Sequence, residues 1–289
     1  MSASSHSWLS GNLLPQSTAV LGIDFTSAPS ARKPITCIRA WFGGAALEFE
    51  ELLHLPDFES FESLLASPGP WVAGIDFPFG QSRRLVQNIG WPGSWAGYVR
   101  HVASLDRRDF RERLEHYKRD RLPGDKHHKR ACDVVSRSQS PQTLYGTPVG
   151  LMFFEGAPRL LQSGAHLPYH RDGDPSRIVL EAYPGVAARR LIGTTSYKND
   201  SRQKQTAARH RARQELLAGL TGEAGRGLYG FAVEAPARLA DDPGADDLDA
   251  LICAVQAAWG YSMANVNFGA PDKLDRLEGW IADPALTET

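Results

Sequence analysis

Cysteine is scarce in this chain. Cys37, Cys132 and Cys253 are the only three, they lie far apart, and no Cys-x-x-Cys occurs. An odd, scattered set of thiols is no disulfide framework and points to a reducing, cytoplasmic compartment. No stretch approaches the ~18 consecutive apolar residues of a membrane helix, so no membrane is expected as a partner. The first sixteen residues carry neither the basic start nor the apolar run of a secretion signal. They are serine-rich, and 1–16 reads as a disordered tail. A Walker-type phosphate loop and a Gly-x-Ser-x-Gly nucleophile elbow are also absent, which removes support for P-loop nucleotide hydrolysis and serine-hydrolase chemistry.

What is there describes a globular chain. Its 289 residues are 42% hydrophobic and 22% charged, enough to bury a sizeable core. The net charge of −1 hides segregation. Residues 83–137 hold 14 lysines and arginines against 7 acids, and residues 187–215 hold 8 against 2. Residues 45–62 have 6 acids and no base, and residues 232–250 have 6 acids and one base. Basic runs in a near-neutral protein mark either a phosphate-bearing partner such as DNA or RNA, or solvated helix faces.

Along the chain, Ala19–Phe25 is a nearly continuous apolar run and reads as a buried strand. Ile35–Phe42 and Ala45–Leu55 read as a hairpin joined at Gly43-Gly44. Asp57–Ala66 spaces Phe58, Phe61, Leu64 and Leu65 at helical intervals, with Asp57 as N-cap. Trp71–Phe77 is a further buried strand. After about 95 basic, aromatic, loop-rich residues, a strand resumes at Arg177–Tyr183. Helices follow around Gly185–Ile192 and Ser201–Leu220, a strand at Leu228–Val233, and a long helix from about Ala245 to Met263. This is α/β sequence. Residues 17–289 are expected to form one domain, with an insert over approximately 81–176 after the fourth strand.

The chemistry lies in carboxylates. Gly22-Ile23-Asp24-Phe25 recurs as Gly74-Ile75-Asp76-Phe77. Side chains alternate along a strand, so Val20, Gly22 and Asp24 share one face, as do Val72, Gly74 and Asp76. Each aspartate ends an apolar run beside a glycine that leaves room for another element to approach. Ligands of open α/β sheets gather at such strand ends. Glu181 ends the apolar run Ile178-Val179-Leu180, where an ionised group must be paired, with a metal or with an arginine. Asp246 and Asp249 fall on one side of the long helix. Its small residues Ala250, Cys253, Ala254, Ala257 and Ala258 suit close packing over Gly22 and Gly74. Acids in a first helical turn also favour the macrodipole without any further role.

Two carboxylates ~4 Å apart repel by roughly 4 kcal/mol at an effective dielectric near 20. A cluster of such groups protonates, separates or takes a cation. All-oxygen sites suit Mg²⁺ or Mn²⁺, and two such ions can support phosphodiester cleavage.

These residues resemble the DUF429 family, described as predicted nucleases of ribonuclease H-like fold. The matching motifs are Gly22-Ile23-Asp24, Gly74-Ile75-Asp76-Phe77-Pro78 and Arg130-Ala131-Cys132-Asp133, then Glu181-Ala182-Tyr183-Pro184, Tyr197-Lys198 and Asp246-Asp247-Leu248-Asp249-Ala250-Leu251. They span about residues 18–263. The resemblance implies a mixed five-stranded sheet flanked by helices, with an acidic metal site. The pattern of the last helix is similar to that of RuvC-type resolvases. That likeness puts metal-holding roles on Asp24, Asp76 and Asp249, with Asp246 beside them. Asp76 stands where those sites carry glutamate, and Glu181 is additional.

Other features carry two readings each. Arg130 and Arg137 either clamp a phosphate or, for Arg130, pair with Asp133. Lys198 either reaches a substrate phosphate or caps a helix. The run Asp125–Arg130 is an exposed basic loop or a phosphate contact, and the spacing of His127, His128 and Cys132 is poor for zinc. Trp91, Trp95 and Tyr98 stack on bases or fill a core beneath the insert. The expectation is a Mg²⁺- or Mn²⁺-dependent nuclease with catalytic Asp24, Asp76, Glu181, Asp246 and Asp249. The alternatives are another phosphoryl-transfer enzyme acting on a nucleotide or small phosphoester, and a non-catalytic binding or scaffold protein.

Overall fold

A computed structural model describes residues 17–199 and 205–287. The expected tail at 1–16 lies outside the described residues. The chain opens with strands β1 (Thr18–Asp24), β2 (Ile35–Phe42) and β3 (Ala46–Leu55), then helix α1 (Phe58–Ala66) and strand β4 (Trp71–Ile75). Asp57 caps α1 by accepting the Ser60 N–H at 2.8 Å. Five helices follow: α2 (Arg83–Asn88), α3 (Trp95–Ala103), α4 (Arg107–Arg119), α5 (Ala131–Val135) and α6 (Val149–Ser163). Strands β5 (Ala165–His166) and β6 (Asp174–Glu181) come next, then α7 (Pro184–Ile192), α8 (Ala207–Thr221) and α9 (Glu223–Tyr229). Strand β7 (Ala232–Glu234) and helix α10 (Asp246–Ser262) complete the main elements.

The sheet is mixed and has seven strands in the order β5-β6-β4-β1-β2-β3-β7, not five. The two additional strands are edges of two and three residues. Runs that short show no periodicity; β5 has no counterpart in the sequence reading, while β7 overlaps the end of the strand expected at 228–233. The expected strand at 228–233 begins late, because Leu228 still belongs to α9. Gly225–Gly230 has the glycine spacing of a dinucleotide-binding loop, but it lies on α9 ahead of a strand. That is the reverse of the strand-to-helix order such a loop needs.

The alternation along β1 divides the core as the pleat requires. Leu21, Ile23 and Phe25 pack with Phe61, Phe77, Tyr98 and Phe153, on the face covered by α1, α3 and α6. Val20 packs on the opposite face with Leu251, Val255 and other residues of α10. Trp91, Trp95 and Tyr98 are buried in the first of these layers, so they serve as core and not as a base-stacking surface.

Helix α10 lies directly on two glycines. Gly22 and Gly74 are cross-strand partners in the parallel pair of β1 and β4. A Cβ on Gly22 would stand 2.0 Å from the Ala250 carbonyl oxygen, and one on Gly74 would stand 2.3 Å from that of Cys253. The obstacles are helix backbone and cannot rotate away. Gly22→Ala is therefore expected to cost about 3 kcal/mol or more, and to lower Tm by roughly 6 °C or more. An unchanged thermal melt would refute the close contact.

Candidate functional site

The sheet and α10 bring four aspartates to one edge. Asp24 is the last residue of β1. Asp76 is the first residue beyond β4, and its N–H extends the ladder to the Ile23 carbonyl at 3.0 Å. Asp246 and Asp249 come from the first turn of α10. That helix starts at a buried Ala245 held at φ +65°, a left-handed conformation that costs a β-carbon residue free energy. The Asp242 carboxylate accepts the Asp246 N–H at 2.7 Å and so supplies the cap that Ala245 lacks.

The aspartates are close enough to act on each other. Burial, then Asp246 and Asp249, push the Asp24 carboxyl well above its usual range. Burial raises Asp76 to about 7, against the pull of Lys198 and with a push from Asp249 and Glu181. Burial and Asp242 raise Asp246 to about 6. No hydrogen-bond donor among the described residues serves the Asp24 or Asp76 carboxylate. Asp249 is different. It is fully buried, accepts the Tyr197 hydroxyl at 2.8 Å on Oδ1, and binds the Lys198 ammonium through Oδ2. The Lys198 side chain is 46% exposed as a whole, and its ammonium is anchored on Asp249.

Glu181 belongs to a second group. Arg130 Nη1 and Nη2 grip its two oxygens at 2.7 and 2.6 Å, and the Phe79 N–H adds a bond at 2.8 Å. Arg130 Nε and Nη2 also reach Asp133 at 3.0 and 2.8 Å, and Nη1 donates to the Glu278 carbonyl at 3.3 Å. All five guanidinium donors are thereby used. Burial works against the charge of Arg130, but Asp133 and Glu181 outweigh it and hold the guanidinium well above its usual value. Arg130 thus pairs with acids and has no donor left for a phosphate, and Glu181 takes the arginine partner rather than an open oxygen position. Arg137 is exposed, at φ +54°. The run 125–130 is no simple exposed loop, because His128 and Arg130 are both buried.

A cavity of about 250 Å³ opens between the two groups. Asp76 and Lys198 line one side, Arg130 and Glu181 another, and Phe77, Val149, Met152 and Ile281 supply apolar walls. Sequence reasoning passed over Asp242, and it quoted Tyr197 within a motif without giving it a role. Asp242 had a signal, as the acid ahead of Pro243-Gly244 in a turn. The hydroxyl of Tyr197 had none, because a tyrosine's partner depends on tertiary packing.

The raised Asp76 fixes a sign. Its folded-state value exceeds the ordinary carboxylate value of 3.8, so its contribution to stability is fully present below 3.8 and is lost as pH rises to about 7. Without divalent cations, the Tm advantage of Asp76→Asn over the parent chain is expected to widen from pH 4 to pH 7 and then level off. Taking the difference between the two chains cancels buried groups that run the other way, such as His170, held down at about 3 by burial. A difference independent of pH would contradict the burial of Asp76.

As they stand, no three His, Cys, Asp or Glu side chains among the described residues form a group that could hold a metal ion. The three cysteines are free and buried. Among the described residues, no helix is long and apolar enough to cross a membrane. The profile of a family described as "Protein of unknown function (DUF429)" matches residues 22–262. No curated protein and no solved structure matches the chain.

Proposed function

The chain belongs to the DUF429 family, and from that premise we propose that it is a Mg²⁺- or Mn²⁺-dependent phosphodiesterase acting on DNA or RNA. One observation carries the reading: Asp24 and Asp76 are half-buried, mutually repelling carboxylates without hydrogen-bond donors among the described residues, at the ends of adjacent parallel strands. The donor set is all oxygen, which suits a hard divalent cation. Asp24 and Asp76 would hold it, with Asp246 and Asp249 alongside. Asp249 reaches it only by sharing or releasing Lys198, which accords with the lack of a ready-made three-residue group. A bound ion supplies an acidified water and charge neutralisation at phosphorus. Lys198 offers a fixed positive charge to the phosphate. Without the ion, burial and Asp242 raise Asp246 to about 6, and a divalent cation beside it would lower that value.

The five longer strands, in the order β3-β2-β1-β4-β6, support a ribonuclease H-like core with two edge additions. Support for a polynucleotide comes from exposed arginines at 100, 108, 111, 113, 119 and 137. Other arginines of that segment are spent within the protein, as in the pairs Arg83–Asp275, Arg84–Asp125 and Arg107–Glu155. The cavity beside Asp76 favours a small phosphoester as the second reading.

The test is cleavage of labelled single-stranded, duplex and branched DNA and RNA with Mg²⁺ or Mn²⁺, run beside thermal melts with and without the ion. Cleavage together with a metal-induced rise in Tm is expected. A rise without cleavage would transfer the site to small phosphoesters. Neither a rise nor cleavage would end the metal-site reading in favour of a binding protein.

A further inference from the structure

We propose that the cavity beside Asp76 is a nucleobase pocket, which holds one base of the substrate while its phosphate lies at the aspartates. The inference rests on the phosphodiester reading for its phosphate end and on the cavity itself for its base end.

Size sets the first limit. A volume of about 250 Å³ lies just below the ~300–1,000 Å³ usual for small-molecule sites, so it admits a single small ring system. That is one heteroaromatic base, and too little for two stacked ones. Wall chemistry sets the second. Phe77, Val149, Met152 and Ile281 present apolar surface, which suits the faces of a flat ring. Gln139 and Thr147 stand at the lining with side chains that hydrogen bond to no other described residue. An amide and a hydroxyl are the groups that read the donor and acceptor edge of a base. Electrostatics sets the third. Arg130 lines the cavity but has every donor engaged, and Glu181 has both oxygens held. That wall therefore neither demands an anion nor repels a neutral ring.

Among the described residues, the lining holds one cation besides the fully engaged Arg130, Lys198, and it sits with Asp76 on the side of the carboxylate cluster. A nucleotide thus has one orientation that satisfies both ends: base inward, phosphate towards Lys198. A base so placed is out of any stack, so the polynucleotide must present an unpaired or extruded residue. Single strands, ends and distorted duplexes meet that condition at lower cost than an intact duplex.

The experiment is calorimetry of the four nucleoside 5′-monophosphates, of ribose 5-phosphate, and of a short single-stranded oligonucleotide. Each is titrated into the full chain in EDTA and in Mg²⁺. At least one nucleotide is expected to bind about tenfold or more tightly than ribose 5-phosphate, the gain typical of burying a base against apolar walls. Met152→Trp fills the cavity and should abolish that gain while leaving ribose 5-phosphate affinity unchanged. Gln139→Ala, at the exposed rim where folding is not at stake, should reduce the gain several-fold. An oligonucleotide that binds more tightly than any nucleotide, with its gain also lost in Met152→Trp, identifies the base as one carried in a strand. A nucleotide that outbinds it identifies a free one.

Ribose 5-phosphate binding as tightly as every nucleotide, or no binding by any of them, overturns the pocket. Base-dependent binding without cleavage of any polynucleotide upholds the pocket and removes the phosphodiester reading. Cleavage of oligonucleotides that is indifferent to abasic substitution at every position does the reverse.

Discussion

Asp24→Asn is expected to melt at a higher temperature than the parent chain in EDTA and to hydrolyse nothing. The first half follows from burial. Asp24 is pushed well above the ordinary carboxylate range, first by desolvation and then by Asp246 and Asp249. At pH 8 the folded state must carry that charge against its surroundings. A neutral amide of the same shape does not, so Tm rises by a few degrees. The second half follows from metal chemistry. An amide is a weaker ligand than a carboxylate, and loss of the ion's charge stabilisation lowers the rate by about a thousandfold or more. Mg²⁺ or Mn²⁺ should raise the Tm of the parent chain and leave that of the variant nearly unchanged. Activity and stability moving in opposite directions is the signature of a strained functional carboxylate. A variant that is both active and less stable would show Asp24 to be a structural group.

Arg130→Met is expected to destabilise the fold by about 3–5 kcal/mol, the usual result of removing one partner from a buried ion network. Arg130, Asp133 and Glu181 are all buried, and the arginine contributes every charge-assisted bond that joins the two acids. Without it, Glu181 keeps the Phe79 N–H, while Asp133 keeps the Arg130 backbone N–H and the Ser138 hydroxyl. Adding Glu181→Gln to Arg130→Met should recover part of the loss, because it removes one of the two stranded charges. Urea unfolding of the parent chain and the two variants measures this. A phosphate-clamping arginine would behave otherwise: Arg130→Met would fold normally and lose only substrate affinity.

Much of this site was legible in the sequence because it follows from local periodicities. Period two placed Gly22 with Asp24 and Gly74 with Asp76. Period 3.6 placed Asp246 with Asp249, and the small residues of α10 foretold its close approach to the glycines. The unread parts depend on long-range partners. The sequence held many arginines that could face Glu181, and only the fold selects Arg130, fifty-one positions away. The same holds for Lys198 and Asp249, joined across fifty-one positions. Strand β5 is a consequence of its neighbours, since a two-residue strand has no pattern of its own, whereas β7 was expected and starts later than the reading placed it. The basic segments misled in part, because residue counts do not distinguish an arginine spent on Asp275 from one facing solvent.

The glycine contact has a consequence for how the protein opens. Where α10 rests on bare strand backbone, at Gly22 and Gly74, there is no side-chain cushion, so small rotamer changes there do not let it slide or lift. Helix α10, β1 and β4 must then separate together or not at all. Amide protons of the residues over that contact, from Ala250 to Ala257, can meet solvent deuterium only when the whole domain unfolds. The strand ends that carry Asp24 and Asp76 therefore belong to the part of the sheet that opens last.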